Sequence, residues 1–484
     1  MPTPAMPQPE TAVPLCVDLD GTLIRTDLLW ETLLRLVQRN PAAIFQVLLW
    51  WTSGRACLKQ KLAERVAIDP ATLPYHEEFL AWLREQKKSG RKLILATASD
   101  LKAAQPVAAH VGLFDEVLAS DGKTNLRSEN KLRLLTEKFG ERGFDYAGNS
   151  SADFAVWRGA RQAIVVNARK SVAARAAACT TVGRVFPRES PIFGALLRSL
   201  RPHQWVKNLI VFVPVLAAHQ LADVVTMQRT AWAFVVFCLC ASGVYVLNDL
   251  MDLDADRRHP TKRNRPFAAG HLQIPVGLAL GLGFMLAGLL AAMQLSWQFT
   301  GVTAAYLILS TSYSWRIKSI ALLDVFFLAG LYTIRLVAGH AATNLAYSSW
   351  MLMFSIFIFL SLALVKRYVE LYNSRDGDPK KPLGGRGYAA GDLEIVASLG
   401  TGSGYLAALV LALYVDSQKV VTLYAHPNWL LILCPLLLYW ISHVWLRAHR
   451  GQMPGDPVLF AVKDGVSYFI GALALAVMWL ATGH

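Results

Sequence analysis

Three aspartates at helical spacing follow a long apolar run, and they are the residues best suited to hold a phosphorylated substrate. Asp249, Asp252 and Asp256 are three and four residues apart, so on one helix they share a face. Carboxylates this close stay ionised only if a cation neutralises them, and hard oxygen ligands favour Mg²⁺, which commonly bridges to phosphate. The basic residues that follow suit the remaining phosphate charge: Arg257, Arg258, Lys262, Arg263 and Arg265. The pattern favours a metal and phosphate site over its alternative, a solvated charged loop after a helix.

A second set of candidates lies near the N-terminus, where a short apolar stretch beginning at Leu15 ends in two carboxylates. Asp18 and Asp20 would stand at the carboxyl end of a strand, where open α/β folds bind ligands. There Asp18 can act as a nucleophile and Asp20 as the acid and base. Further side chains at predicted strand and helix ends could bind a phosphoryl group or Mg²⁺: Thr22, Thr97, Lys131 and Asp153.

The two halves of the 484-residue chain differ in composition. Charges are frequent and apolar runs are short up to about Arg201, and apolar runs of membrane-spanning length recur beyond it. The net charge of +14 alone would suggest nucleic acid, but the cations of the second half lie mainly in loops between apolar runs. We therefore expect membrane lipid and phosphate as partners, and no nucleic acid. The six cysteines show no metal-ligand spacing, which favours a reduced, cytosolic setting for the soluble part.

The same pattern predicts the domain boundaries. We expect a disordered lead-in, an α/β domain, a linker and an all-α membrane domain, over residues 1–14, 15–167, 168–200 and 201–484 respectively. A helical insertion of about residues 27–90 separates the first two strands, and its very apolar segment 42–51 is too short to span a bilayer. Two interpretations of that segment stay open: a buried cap helix, or a surface that touches the membrane and admits a lipid-linked substrate.

Nine apolar runs of the second half could cross a membrane. They lie near residues 206–222, 229–248, 274–293, 297–314, 320–341, 349–367, 396–415, 428–446 and 465–482. Most of the lysines and arginines between these runs lie after the even-numbered ones, which places those loops and the N-terminal domain in the cytoplasm. The sequence therefore predicts a multi-pass protein of the inner or plasma membrane.

Isolated charges recur at the helix ends on this cytoplasmic side. Lys318 follows the fourth run, Asp324 begins the fifth, and Lys366 and Arg367 end the sixth. Arg335 lies within the fifth run, where a charge needs an anion or a water-filled cavity. Each cation alone could be a snorkelling anchor, but together they indicate a pocket for a heavily phosphorylated substrate.

The N-terminal motifs resemble the haloacid dehalogenase superfamily, in particular its phosphoserine-phosphatase-like branch. The signature is Asp18-Leu19-Asp20-Gly21-Thr22-Leu23, and the resemblance extends over about residues 15–167. It implies a Rossmann-like α/β fold with a small helical cap, and a phosphatase with Asp18, Asp20 and Asp153 around Mg²⁺. Asn149 departs from the family, whose fourth motif usually has an aspartate there. A degenerate domain kept for assembly or regulation is the alternative.

The membrane half resembles the UbiA prenyltransferase superfamily, whose first motif is matched by Asn248-Asp249-x-x-Asp252-x-x-x-Asp256 and then Arg265-Pro266. This resemblance implies nine helices and Mg²⁺ bound by the three aspartates. Asp324 stands alone where that family has a DxxxD pair. With the segments 201–208 and 364–371, this variant is similar to the polyprenyl-phosphate phosphoribosyltransferase branch of the family.

In that branch phosphoribosyl pyrophosphate is the diphosphate donor and a polyprenyl phosphate is the acceptor. The resemblance implies that a group of residues binds the donor, with Asp324 counted as catalytic: Asn248, Lys262, Arg265, Tyr313, Lys318 and Asp324. It implies that the lipid phosphate contacts four basic residues of other runs: Lys207, Arg335, Lys366 and Arg367. Asn208, in the segment 201–208, is a further candidate for substrate binding. Two alternatives stay open, a prenyltransferase that moves a prenyl group from its diphosphate to an aromatic or other small acceptor, and a non-catalytic transporter or scaffold. The sequence leaves an oligomer open as well.

Overall fold

The computed structural model describes residues 13–188, 191–373, 387–417, 420 and 423–482. Backbone contacts divide the chain into two compact units. The first contains the residues up to Leu200 together with Tyr245–Gly281, and the second contains Arg201–Val244 together with the residues from Leu282 onward. The segment with the three aspartates therefore belongs to the same unit as the α/β domain.

Six parallel strands form the centre of the first unit, in the order β3-β2-β1-β4-β5-β6. They are β1 Leu15–Val17, β2 Leu93–Asp100, β3 Glu116–Ser120, β4 Asp145–Gly148, β5 Gln162–Val166 and β6 Thr181–Phe186. Because β1 lies between β2 and β4, the strand order reverses there, and a crevice opens at the carboxyl ends of the strands. Asp18 and Asp20 follow β1 directly, so the predicted α/β fold is confirmed and brings them to this crevice.

Helices cover the sheet and build a cap beside it. They are α1 Leu28–Arg39, α2 Ala43–Thr52, α3 Arg55–Arg65, α4 Glu77–Lys88, α5 Leu101–Val111, α6 Glu129–Phe139, α7 Phe154–Gly159, α8 Lys170–Cys179 and α9 Ile192–Leu200. The side chains of β1 alternate between two cores, with Leu15 and Val17 in one and Cys16 in the other. Helices α1 to α3 share a separate small core that includes Leu36, Val47 and Leu62.

Three boundaries differ from the sequence prediction. The expected linker 168–200 is structured in its first part, because α8 and β6 complete the sheet. The expected cap, about 27–90, ends earlier, because Phe79 and Leu83 of α4 pack in the core of the sheet. Most of the expected lead-in lies outside the described residues, but Val13 is buried and its carbonyl accepts a hydrogen bond from Arg91.

The rest of the described residues form mainly helices. After a 3₁₀ segment, Pro202–Phe212, come α10 Val213–Ala217, α11 Val224–Met251, α12 Leu253–Arg258, α13 Ile274–Ala292, α14 Trp297–Trp315, α15 Leu323–Thr343, α16 Ser349–Tyr372, α17 Leu393–Val415, α18 Leu433–His449, α19 Pro457–Ala461 and α20 Gly465–Ala481. Within the described residues, six helical segments are long and apolar enough to cross a membrane: Val224–Met251, Ile274–Ala292, Leu323–Thr343, Ser349–Tyr372, Ala390–Val415 and Pro427–His449. The chain is therefore a multi-pass membrane protein.

The predicted count of nine spans is not confirmed. The first apolar run forms the 3₁₀ segment and the five-residue α10 instead of one continuous helix. The ninth forms α20, which has 17 residues. The fourth forms α14, whose apolar residues are interrupted by threonines, serines and tyrosines. Nine crossings stay a prediction.

Candidate active sites

The crevice beside β1 contains a chain of buried charged and polar groups. Lys131 on α6 donates to Asp18 Oδ1 at 2.7 Å and to the Tyr146 hydroxyl at 2.7 Å. That hydroxyl donates in turn to Asp153 Oδ1 at 3.0 Å. Burial raises the pKa of Asp18 to about 7, although Lys131 opposes this shift. The structure thus joins the predicted nucleophile, the predicted phosphate-neutralising lysine and the predicted metal ligand.

Asp20 is held from two sides. Its Oδ1 accepts from the backbone N–H of Leu28, the first residue of α1, at 2.8 Å, and its Oδ2 accepts from the Ser99 hydroxyl at 2.6 Å. Burial and the nearby Asp27 raise the pKa of Asp20 to about 6, so this carboxyl can exchange protons near neutral pH.

The two predicted hydroxyl ligands of this crevice differ in their contacts. Thr97 Oγ1 accepts from the backbone N–H of Ser99 at 3.0 Å. The buried Thr22 hydroxyl has no hydrogen-bond partner within the described part of the chain. A buried hydroxyl in this state suits a ligand oxygen.

Asn149 reaches the aspartate loop despite its departure from the family motif. A Cβ added to Gly21 would lie 2.0 Å from Asn149 Nδ2 and would displace this amide, and the φ of +79° at Gly21 also favours glycine. Asp153 Oδ2 already accepts from the backbone N–H groups of Asn149 and Ser150 at 3.0 and 2.9 Å. The carboxylate oxygens of this crevice are ligands of the kind that Mg²⁺ prefers. Within the described residues, however, no three His, Cys, Asp or Glu side chains converge on one metal position.

The aspartate-rich segment lies where α11 ends and α12 begins. Asp249 is in the last turn of α11, Asp252 stands between the two helices, and Asp256 is on α12. Arg265 Nη1 bridges the two buried carboxylates, at 3.2 Å from Asp249 Oδ1 and 2.6 Å from Asp256 Oδ2. Asn248 Nδ2 donates to Asp252 Oδ2 at 3.1 Å. Burial raises the pKa of Asp256, against the opposing charge of Arg265. These carboxylates therefore attract a cation, and in this arrangement a guanidinium supplies it.

The basic residues of this segment differ in their contacts and in their exposure. Arg257 does not extend toward a phosphate, because its guanidinium binds the Glu31 carboxylate and the Ala268 carbonyl. Arg258 forms an exposed pair with Asp69 at 3.2 Å. Lys262 is exposed.

In the second unit, Asp324 forms a buried cluster that the sequence did not predict. Arg367 donates to Asp324 Oδ2, and the Tyr388 hydroxyl donates to Oδ1 at 2.7 Å. Arg367 also pairs with Glu370. The resemblance assigns Asp324 to the donor and Arg367 to the lipid phosphate, but here they bind each other. Two other residues of the predicted donor set are half-buried in this unit: Tyr313 and Lys318.

Arg335 in α15 is satisfied by protein groups. Its Nε donates to Asn208 Oδ1 at 2.9 Å, its Nη1 donates to the Leu331 carbonyl, and its Nη2 donates to the Tyr306 hydroxyl at 3.2 Å. This explains how the charge is tolerated inside an apolar helix. It also shows that Asn208, a predicted substrate ligand, orients Arg335.

Comparison with known proteins gives matches in both halves. Residues 209–463 match the UbiA prenyltransferase family, and residues 15–158 match the haloacid dehalogenase-like hydrolases. The chain belongs to the UbiA prenyltransferase family. It is a transferase of that family with an N-terminal haloacid dehalogenase-like domain.

Relatives of this UbiA-family chain differ in how much of it they share. The uncharacterized protein y4nM of Sinorhizobium fredii is 38% identical over 95% of this chain and 89% of its own length. The nodulation protein NoeC of Azorhizobium caulinodans is 40% identical over 60% of this chain and 94% of its own. The decaprenyl-phosphate phosphoribosyltransferase of Mycolicibacterium smegmatis is 39% identical over 37% of this chain and 58% of its own length.

Sequence reasoning missed two charged residues, one at the crevice beside β1 and one in the UbiA-like half. Lys59 on the cap helix α3 donates to the Ala98 carbonyl at 2.6 Å, and burial lowers its pKa although Asp20 and Asp27 oppose this. A lysine on a polar helix is typical of solvated surface, so spacing gave no signal for it. Asp456 was also missed, because a single aspartate after a loop is common.

Asp456 pairs with Lys207, whose side chain is 10% exposed. Burial would raise the pKa of Asp456, but Lys207 and then Lys366 outweigh that effect and lower it. Two lysines that the sequence assigned to the lipid phosphate thus both act electrostatically on Asp456, and one of them, Lys207, binds it directly.

Proposed function

We propose that the UbiA-like half transfers phosphoribose from phosphoribosyl pyrophosphate to a polyprenyl phosphate. The observation that carries this proposal is the 39% identity to a decaprenyl-phosphate phosphoribosyltransferase over 190 residues. The solitary Asp324 supports it, because the second carboxylate of the usual family motif is lacking in this sequence.

In this reaction an oxygen of the lipid phosphate bonds to the anomeric carbon of ribose as the bond from that carbon to pyrophosphate breaks. The departing pyrophosphate gains negative charge, so fixed cations and hydrogen-bond donors lower the barrier. Lys262 would provide such a cation, and Arg265 would provide a second one on exchanging Asp249 and Asp256 for the diphosphate. Asn248 holds Asp252 in place. Asp249, Asp252 and Asp256 do not converge on one metal position in this structure, where Arg265 bridges two of them, so they would have to draw together to hold Mg²⁺. The ion would supply charge that neutralises the diphosphate.

The lipid phosphate has a different set of candidate ligands. We assign it to Lys207 and Lys366, whose charges both act on Asp456. An arriving phosphate would compete with that carboxylate for the two ammonium groups. Arg335 and Arg367 act as positioning residues in this proposal, because Asn208 and Asp324 already occupy their guanidinium groups.

We assign the N-terminal domain to the product of this transfer, which retains a phosphate on the ribose. The Asp18 carboxylate would attack that phosphorus, the bond from phosphorus to the ribose oxygen would break, and Asp20 would give its proton to the departing oxygen. Water would then release inorganic phosphate from Asp18 and return a proton to Asp20. Lys131 and Lys59 supply positive charge at this crevice.

The cap offers a surface on which the lipid head group could be reached. Helix α2 carries exposed apolar side chains, with Phe45 73% and Leu49 68% exposed, and Trp51 and Leu48 also lie open. A monomer rarely leaves such a continuous patch in water. We therefore favour contact of α2 with the cytoplasmic face of the inner membrane over a buried cap helix, and the exposure of these side chains supports that choice.

The test uses the purified full chain with Mg²⁺ and a polyprenyl phosphate in lipid vesicles. Labelled phosphoribosyl pyrophosphate should label the lipid, and a labelled prenyl diphosphate offered with an aromatic acceptor should yield no product. Transfer from the prenyl diphosphate alone would reject the proposal in favour of a conventional prenyltransferase. Absence of transfer from either donor would favour a transporter or scaffold.

A further inference from the structure

Helix α1 of the cap connects the two candidate sites of the first unit. Its first backbone N–H, on Leu28, holds Asp20 at 2.8 Å. Farther along the same helix, Glu31, Arg35 and Gln38 contact the segment that carries the three aspartates of the transferase. One rigid element thus begins at the phosphatase crevice and ends against the aspartate-rich segment.

The central contact is a buried pair of forked side chains. Arg257 Nη2 donates to Glu31 Oε1 at 2.7 Å, and its Nη1 donates to Glu31 Oε2 at 3.1 Å. The side chain of Glu31 is 0% exposed and that of Arg257 is 4% exposed. Arg35 donates to the same Glu31 at 2.7 Å and forks onto both oxygens of Asp254. Such bidentate pairs fix orientation as well as distance.

These contacts alternate with the candidate donor ligands along the chain. Asp254 lies between Asp252 and Asp256, and Arg257 directly follows Asp256. Gln38 Nε2 also donates to the carbonyls of Leu250 and Met251, at 3.2 Å each, where α11 ends.

The helix that these contacts hold, α12, has only six residues. A helix this short has little stability of its own, so its place depends on tertiary contacts. Apolar packing adds to the polar contacts, because Trp30 and Leu34 of α1 pack against the core that contains Leu250 and Leu253.

We propose that Glu31 and Arg35 are positioning residues of the transferase, which hold Asp252 and Asp256 in their working geometry through Arg257 and Asp254. The cap of the haloacid dehalogenase-like domain is then part of the diphosphate site as well as part of the phosphatase. This inference rests on the proposed function only in that the aspartate segment binds a diphosphate donor. It holds for either donor class.

The test compares Glu31→Met and Arg257→Met with the double variant Glu31→Met/Arg257→Met in the full chain. Glu31→Met leaves the buried Arg257 without its carboxylate, and Arg257→Met leaves Glu31 paired with Arg35 alone. The double change replaces the pair by apolar side chains of similar size and leaves Arg35 paired with Asp254. We expect Glu31→Met to lower kcat/KM for the donor by about 10²-fold, the effect of a small misplacement of catalytic groups. We expect the double variant to recover most of that loss.

The result for the double variant decides between positioning and direct contact. If Arg257 bound the donor phosphate itself, the double variant would stay as inactive as Arg257→Met, and the proposal would be overturned. Wild-type kcat and KM in the Glu31→Met variant would overturn it as well. Asp69→Asn is the matched control, because it breaks an exposed pair to Arg258 on the same short helix and should leave both constants unchanged.

Two further measurements separate misfolding and a wrong donor from a wrong inference. Glu31→Gln keeps a hydrogen bond to Arg257 and loses only the charge, so a folded variant with a partial loss of donor affinity is expected even if Glu31→Met does not fold. Wild-type donor affinity in a folded Glu31→Gln variant would count against the proposal. Donor binding is read as the shift in thermal unfolding caused by phosphoribosyl pyrophosphate and, separately, by a prenyl diphosphate. A wild-type chain that responds only to the prenyl diphosphate rejects the proposed donor, and the variants are then compared with that donor.

Discussion

The substitution Asp18→Asn separates the two proposed reactions while leaving the fold in place. Asparagine has the shape of aspartate and still accepts the hydrogen bond from Lys131, which is 2.7 Å long. The bond keeps the charge of its lysine donor and loses that of its acceptor, so it weakens but stays within the roughly 1.5–3 kcal/mol of hydrogen bonds to charged groups. The expected loss of at most about 1.5 kcal/mol is small against the roughly 5–15 kcal/mol that stabilises a domain, and Asp153 remains nearby to balance the lysine. The amide cannot form the bond to phosphorus, so dephosphorylation should fall by about 10⁴-fold or more.

The assay is mass spectrometry of the lipids made by the full chain from phosphoribosyl pyrophosphate and a polyprenyl phosphate. The wild type should yield the dephosphorylated lipid-linked ribose, because tethering gives the phosphatase crevice an effective product concentration of about a millimolar. Asp18→Asn should stop at the phosphorylated lipid with the first step preserved. Asp115→Asn serves as the control, since it removes an exposed aspartate that pairs with Lys87 in the same domain. Identical product masses from the wild type and Asp18→Asn would refute the coupled reaction.

Three further predictions concern the transferase and the contact that supports it. Asp252→Ala should lower the rate of transfer by about 10²-fold or more without unfolding the membrane helices, because it removes a transition-state charge contact. A wild-type rate with unchanged Mg²⁺ dependence would contradict the metal assignment. Lys318→Ala should weaken donor affinity by about 1.5–3 kcal/mol, measured as a rise in donor KM, whereas a selective loss of lipid affinity would show that the two pockets are exchanged. Burial would raise the pKa of Glu31, but its two arginine partners lower it overall. The stability that the ionised Glu31 adds is therefore complete above its ordinary pKa of 4.5, and it is lost as pH falls through the lower pKa of the folded state. Thermal unfolding of wild type and Glu31→Gln should therefore differ at neutral pH and converge in acid, and a constant difference would contradict this.

The α/β domain could be predicted from local pattern because its strands are short apolar stretches that end in chemically distinctive residues. Leu15 to Val17 form a strand, and Asp18 follows at the expected edge of the sheet. The same reasoning failed for Thr181–Phe186, an edge strand that is largely exposed and therefore lacks the continuous apolar run of a buried one. Only its pairing with β5 in the structure identifies it as a strand.

The candidate sites show where spacing stops being informative. The turn of helix between Asp252 and Asp256 can be read from the sequence, and so can the presence of a nearby arginine. The sequence could not show that Arg265, and not Arg257, is the partner of these carboxylates. Arg257 binds Glu31 instead, and Glu31 lies 226 residues before it. Pairings between distant elements leave no periodic trace in a single sequence.

The grouping of Tyr245–Gly281 with the α/β domain limits how the protein can be divided. A shorter chain that ends at Leu200 keeps every strand of the sheet, but it uncovers the apolar side of α1 around Trp30 and Leu34 and leaves Glu31 and Arg35 without their partners from α12. Such a fragment should aggregate or need detergent, although none of its described residues belongs to a helix long and apolar enough to cross a membrane. Separate expression of the halves is therefore a poor route to either activity, and a gene split at this boundary would have to evolve a new surface on each product.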